Sequence, residues 1–423
     1  MRSAALISLG LLLAASTAVG QGTRDVTIDI TKQGGRIRVH CDALTSPDRS
    51  PTAPMPAEAS EVLATDLDQS AVFAVSRGWA APDPGEAQAV VSGVWQVSGR
   101  KVRLAGEVRD LPGRRPILVR QYRGTIENWR ALVHQFSDDV VFQFTGEPGV
   151  ARTRIAFVGQ QGRNKELYAM DLDGAGLQAL TDDHSIALSP SWSFDGSLLL
   201  FTSYRGAKGG AGIWVIHSNG GKAYPISMRA GLNTSASYSP DGREIVCSLS
   251  QDGNSEIYVL DARGESPVRL TSNHAIDTSP AWSPTGREIA FTSDRDGTPQ
   301  VYVMDREGGN VRRLTYELSY TDSPAWSPKG DRIAFVARMS GGFEIYVCLA
   351  DGRGLKSLIT GGSNENPHWS PDGRHLVFTS NRDGENALYV SDLDDQPPRR
   401  LNTGGLHASS PAWSPLPAAP NSP

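Results

Sequence analysis

The sequence predicts a mainly β protein: a six-bladed β-propeller preceded by a small α/β domain with a mixed sheet and two helices. One short phrase recurs six times. Each recurrence is followed by strand-like pieces broken by glycine turns, and the stretch before the first recurrence has a different periodicity. The copies are Ser189-Pro-Ser-Trp-Ser-Phe-Asp-Gly196, Ser235-Ala-Ser-Tyr-Ser-Pro-Asp-Gly242, Ser279-Pro-Ala-Trp-Ser-Pro-Thr-Gly286, Ser323-Pro-Ala-Trp-Ser-Pro-Lys-Gly330, Asn366-Pro-His-Trp-Ser-Pro-Asp-Gly373 and Ser410-Pro-Ala-Trp-Ser-Pro415. Their aromatic positions stand 46, 44, 44, 43 and 44 residues apart. A fixed period in this range, built from short β-rich segments, marks propeller blades.

In chain order, the first element is a leader rather than fold. Arg2 supplies a positive start, and Ala4 to Ala15 is a mostly apolar run too short to span a bilayer as an ordinary helix. Ala18-Val-Gly20 offers small residues to a signal peptidase. Residues 1–20 are therefore expected to be a signal peptide cut after Gly20, leaving an exported protein that starts at Gln21.

Residues 21–147 are expected to form the α/β domain. Val26, Ile28 and Ile30 alternate with Asp25, Thr27 and Asp29 as in a strand. Ala59, Leu63 and Leu67 stand at i+4 spacing on a helix over 57–68. Residues 88–97, 101–109 and 116–123 read as a meander with Ser98-Gly99 and Pro112-Gly113 at its turns. Trp129, Leu132, Val133, Phe136, Val140 and Val141 give a second helix, with Thr125 as its N-cap. Gly146-Glu-Pro-Gly149 is the expected linker.

Residues 153–416 are expected to be the propeller. Each repeat places an apolar piece such as Ile289-Ala-Phe-Thr-Ser293 after the anchor, then an alternating piece such as Val301-Tyr-Val-Met-Asp305, then a short one such as Arg313-Leu-Thr315. Residues 154–181 contain three such pieces with no anchor before them, whereas the anchor 410–415 has nothing after it. Joined, they make one blade, so six blades close through the C-terminal strand and leave no open edge. One aromatic per blade at a fixed place reads as blade packing. Burial of such a ring contributes at most about 4–6 kcal/mol.

At 423 residues the chain is long enough for two domains, and 39% hydrophobic with 21% charged is an ordinary globular composition. A net charge of −5 gives no basic footprint, which argues against nucleic acid as a partner. Of the three cysteines, Cys247 and Cys348 occupy repeat positions filled elsewhere by Phe and Met, two blades apart. They read as small buried hydrophobes that cannot be bridged. Cys41 has no evident partner.

No Gly-x-Ser-x-Gly, His-Glu-x-x-His or phosphate-loop pattern occurs. His184 and His274 stand eight residues before an anchor aromatic and His407 six before, which puts them near one rim. Carboxylates do not accompany them at fixed offsets. No catalytic residue, metal or cofactor is expected. The loops before the anchors, residues 228–235, 272–279, 316–323 and 361–366, share that rim, vary in sequence, and are the expected exposed recognition surface. The turns holding Asp195, Asp241 and Asp372 fall on the opposite rim.

The order of these parts resembles the TolB family of the Tol–Pal envelope system. The likeness runs from the export signal and Arg24-Asp-Val-Thr-Ile-Asp-Ile30 through the helix Glu58 to Asp68, Trp129 to Phe136, and Arg152-Thr-Arg-Ile-Ala-Phe157 to the last anchor. The resemblance implies a propeller behind an α/β domain, no enzymatic activity, and a periplasmic location. It also implies two partners. A TolA-type inner-membrane protein is expected at Arg24, Asp25, Val26, Thr27, Ile28, Asp29 and Ile30. A Pal-type peptidoglycan-associated lipoprotein is expected at Leu232, Asn233, Thr234, Asp277, Thr278 and Ser279. Leu232 departs from the family pattern, standing where a polar, often His, residue aligns. The resulting expectation is a monomeric, non-catalytic adaptor without a membrane span, serving outer-membrane integrity and envelope constriction at division. Two other classes stay open: a propeller lyase or hydrolase using the His-bearing rim, and a carbohydrate- or peptide-binding propeller.

Overall fold

The computed structural model describes residues 35–46, 56–78, 86–111, 113–206, 210–393 and 396–417. The expected signal peptide, the strand at 25–30 and the whole TolA-type segment lie outside the described residues.

The first sheet has five strands. Strand β1 (Ile37–Asp42) is followed by helix α1 (Pro56–Asp68), β2 (Phe73–Gly78), β3 (Ala89–Ser98), β4 (Lys101–Asp110), β5 (Pro116–Thr125) and helix α2 (Trp129–Thr145). The strand order is β2-β1-β3-β4-β5. β1 runs parallel to both β2 and β3, whereas β3, β4 and β5 form an antiparallel meander. Parallel neighbours need a crossover, and α1 supplies it between β1 and β2. Pro56 opens α1, where a missing backbone N–H is no loss. Ala59, Leu63 and Leu67 of α1 and Leu132, Val133, Phe136 and Val140 of α2 bury against Val39, Val91, Leu104, Val108 and Leu118 of the sheet. The periodic helices and the meander follow the pattern expected of them. Strands β1 and β2 had no counterpart in that reading.

One element differs in detail. Thr125 ends β5 rather than capping α2, and the N-cap is Asn128. The Asn128 side chain turns backward, where its Oδ1 accepts from the Thr125 N–H at 2.7 Å. At the other end Gly146 adopts φ 71° and donates its N–H to Phe142 O at 2.8 Å, the left-handed cap that glycine allows.

Six four-stranded sheets follow. The inner strands are Ala187–Trp192, Asn233–Tyr238, Asp277–Trp282, Thr321–Trp326, Asn364–Trp369 and His407–Trp413, here numbered blades one to six. In blade six the C-terminal strand pairs antiparallel with β6 (Arg154–Gln161), which continues into β7 (Asn164–Asp171) and β8 (Gln178–Ala179). The ring therefore closes as the split repeat required. Apolar layers fill the gaps between blades: Ala156, Leu167 and Ala412 of blade six meet Trp192, Leu199 and Phe201 of blade one. The anchor tryptophans are buried, and Trp192 Nε1 donates to Ala412 O of the neighbouring blade at 3.0 Å.

Each anchor also carries a bulge. Ser189, Ser235, Ser279, Ser323, Asn366 and Ser410 have φ between 48° and 54°, and each inner strand shifts register there. A bulge re-aims the side chains that follow it. It lets the first residue of the strand and the Pro and Trp after the bulge all turn inward, as Asp277, Pro280 and Trp282 do, although simple alternation would put Asp277 on the opposite face. Cys41, Cys247 and Cys348 are all buried and none forms a disulfide.

Candidate functional site

The two rims of the ring differ in kind. On the rim before the anchors, the loop leading into the inner strand is held in blades two, three and five by the turn between the second and third strands. The backbone N–H of Leu232 donates to Ser250 Oγ at 2.7 Å, that of Ile276 to Asp294 Oδ1 at 2.8 Å, and that of Ser363 to Asn381 Oδ1 at 2.7 Å. In these blades the residue just outside the inner strand is thus fixed by its backbone. In blades one, two and three these residues are Ile186, Leu232 and Ile276, which are 39%, 46% and 53% exposed. Tyr320 holds the same place in blade four and is half-buried. Three apolar side chains on successive blades form an arc along this rim. Sequence reasoning singled out only Leu232. Aligning the position three before each anchor serine would have found the rest.

Two of the expected Pal-type residues are not surface residues. Asn233 and Asp277 are fully buried. Asn233 Oδ1 accepts from Ser227 Oγ at 2.6 Å and from the Arg229 N–H at 3.1 Å, while its Nδ2 donates to Ala211 O at 3.1 Å. Asp277 Oδ2 accepts from Arg295 Nη2 at 3.0 Å and Asn273 Nδ2 at 2.9 Å. Arg295 in turn lies over Phe291 and Tyr302. In blade five Arg382 repeats the arrangement over Phe378 and Tyr389 and donates to Asn364 Oδ1 at 2.9 Å. The expectation that these loop residues are exposed is corrected: as the first residue of an inner strand, each points into the blade and braces its loop. Thr234, Thr278 and Ser279 are half-buried beside them.

The opposite rim is engaged by the α/β domain. Glu147, in the linker, accepts from Lys329 Nζ at 3.1 Å and from Arg374 Nη2 at 2.6 Å, both on anchor turns. Arg130 of α2 pairs with Asp173 and Arg36 with Asp392. Between these contacts His134 Nδ1 meets Asp66 Oδ2 at 2.7 Å, and its Nε2 stands 3.9 Å from Asp173 Oδ2. The central channel also opens toward this rim. Its cavity of about 410 Å³ is lined by the Pro, Trp and Ser residues of the anchors together with His368. Burial holds the His368 imidazole below its usual range.

The three histidines of the sequence reading do not converge. His184 and His274 are exposed in loops and His407 is the exposed first residue of an inner strand, each belonging to a different blade. His184 stands near Asp182 and the buried Glu166, but the oxygens of Glu166 already accept from Thr181 Oγ1 at 2.5 Å and the His184 N–H at 2.7 Å. A second group, Asp66, His134 and Asp173, lies where the α/β domain meets the propeller. There Arg130 occupies Asp173 and Ser137 Oγ donates to Asp66 at 2.9 Å.

The fold and the open rim define the class: a six-bladed β-propeller behind a mixed-sheet α/β domain, with one face engaged by that domain and the other presented outward. Residues 141–417 match the PD40 family, described as the TolB β-propeller domain. The chain belongs to this TolB β-propeller family. It is 36% identical over 170 residues to the Tol-Pal system protein TolB of Desulfosudis oleivorans, covering 40% of this chain and 38% of that protein. It is 41% identical over 164 residues to a TolB homolog of Chlorobium chlorochromatii, covering 39% and 36%. The chain thus matches less than two-fifths of the length of these relatives. The crystal structure of TolB from Acinetobacter baumannii shares the fold, with a TM-score of 0.81 and 24% identity over 90% of this chain and 97% of that one. Among the described residues no helix is long and apolar enough to cross a membrane.

Proposed function

We propose that this protein is a non-catalytic adaptor of the Tol–Pal system, working in the periplasm as a monomer without a cofactor. Residues 24–30 recruit a TolA-type inner-membrane protein, and the rim before the anchors docks a Pal-type lipoprotein. Residues 1–20 serve export, 21–147 form the α/β domain and 153–416 form the ring. Coupling the two partners supports outer-membrane integrity and envelope constriction at division. The observation that carries the reading is the asymmetry of the rims. The α/β domain engages one, and the other presents Ile186, Leu232 and Ile276 outward on three successive blades. Apolar side chains on a rigid rim are what the centre of a protein interface uses.

Titration of the full chain with a Pal-type partner tests this. The pair Leu232→Asp and Ile276→Asp is expected to weaken binding by at least about tenfold. Changes at Asp195 and Asp241 on the other rim are expected to leave it intact. Equal losses from both rims would overturn the assignment.

A further inference from the structure

The overall charge hides a strong local one. Between residues 100 and 123 the chain carries eight Lys and Arg against Glu107 and Asp110, a net +6 in a protein of net −5. The rest of the molecule is therefore decidedly acidic. All eight basic residues are exposed. Arg100 pairs with Glu127 and Arg109 with Glu107. Lys101, Arg103, Arg114, Arg115, Arg120 and Arg123 have no ion-pair partner among the described residues.

The sheet sets where these charges point. The helices cover the face of β4 that holds Val102, Leu104 and Val108, and strand alternation turns Lys101, Arg103 and Arg109 to the other side. Arg103 and Arg123 are direct cross-strand partners on that side, whereas Arg120, opposite Gly106, lies on the helix side with Leu118 and Tyr122 and is not part of this face. Like charges placed opposite each other are destabilising, so packing within the chain does not account for them. Arg114 and Arg115 extend the field to the far turn. Exposed Val94 and Val119, 39% and 58% accessible, lie between the two ends. Ten-residue strands spread the field over roughly 30 Å of pleated surface. That is too wide for one compact anion.

We propose that the outer face of β4 and β5 is a docking surface for the anionic headgroups of a lipid bilayer. A plane of phosphates meets separated cations across two strands and two turns at once, and the two valines contact the headgroup boundary. The acidic remainder is repelled by such a surface, so only this face is presented to it. The inference is independent of both protein partners, and its failure leaves the adaptor reading standing.

Co-sedimentation of the full chain with vesicles, and no other protein, tests it. Binding is expected to phosphatidylcholine vesicles containing about 30% phosphatidylglycerol, not to phosphatidylcholine alone, and is expected to fall with added salt. The pair Arg103→Glu and Arg123→Glu should cut binding at least about tenfold, and so should Arg114→Glu with Arg115→Glu in the exposed turn. Melting temperature is recorded for each, so that a folding defect in one pair leaves the other as the test. Equal binding to neutral and anionic vesicles, or full binding by both variants, would overturn the proposal. So would tighter binding of polyglutamate or single-stranded DNA than of anionic vesicles, which would make the face a site for an acidic macromolecule.

Discussion

His134 on α2 meets Asp66 on α1 at 2.7 Å, Nδ1 to Oδ2, with both side chains buried. The far nitrogen of the same imidazole faces Asp173 in the turn between β7 and β8. One side chain therefore ties the two helices to each other and to the propeller.

Its protonation should register in stability. The groups facing it are Asp66 and Ser137 beside it, Asp171, Asp173 and the Asp173-bound Arg130. Burial alone depresses the imidazole. The carboxylates of Asp66 and Asp173 outweigh burial and hold it above its ordinary value. A folded-state pKa above the unfolded one means the protonated form favours folding. That contribution is complete below the unfolded value of about 6.5 and is lost as pH rises through the folded value. Replacing His134 with Gln is expected to lower the melting temperature most at pH of about 5.5 and least at about 9. Parallel melting curves of the two proteins against pH would refute the assignment.

Ring closure rests on Trp413. It is buried, stacks on His375 with centroids 5.8 Å apart, and donates Nε1 to Thr153 Oγ1 at 2.8 Å. Trp413→Ala is expected to cost about 3–5 kcal/mol. Truncation after Gly405 removes the strand as well and exposes the edge of β6. Thermal melting and light scattering of both proteins are the measurement. An unchanged melting temperature without aggregation in the truncated form would contradict the closure.

Stability and binding should separate on the rim. Asp277→Ala leaves the Arg295 guanidinium without its buried partner and is expected to cost about 3 kcal/mol in chemical denaturation. Leu232→Asp, on a side chain already half in water, is expected to leave stability within about 0.5 kcal/mol while weakening a Pal-type partner. If Asp277→Ala kept full stability and lost only binding, Asp277 would be a contact residue after all.

The propeller was legible because each blade repeats the same local demands: a proline and aromatic to pack, a glycine turn, and alternating strands. The split repeat even located the closing strand. What one copy of a phrase does not announce is the direction of its first residue. Asn233 and Asp277 look like polar loop residues, and only the pairing of each with the end of the second strand, Leu249 and Ser293, shows that they point inward. Strands β1 and β2 escaped for a related reason. Their pairing is parallel and spans α1, so no tight turn marks it. The left-handed serines leave no compositional trace, because serine is common in loops of every kind. The basic face was lost in the average, since the acidic remainder cancels it in the net charge.

The segment 24–30 lies outside the described residues, and the role proposed for it rests on the family resemblance, with its alternating pattern in support. In an extended chain Val26, Ile28 and Ile30 would share one side, and Asp25, Thr27 and Asp29 the other. Such a segment adds to a sheet edge by main-chain hydrogen bonds while its apolar side fills pockets. If the leader is cut after Gly20, the segment stands at a chain end, which is released more cheaply than an internal strand. If occupation of the propeller rim alters how firmly the segment is held, the two partners are linked, and the linkage must be equal in both directions. Deleting residues 21–30 is expected to abolish binding of a TolA-type partner and to leave a Pal-type partner within about tenfold, or ~1.4 kcal/mol. Calorimetric titration of each partner into full-length and deleted protein measures both. Undiminished TolA-type binding by the deleted form would remove the assignment. Identical TolA-type affinity with and without saturating Pal-type partner would remove the coupling while leaving the site.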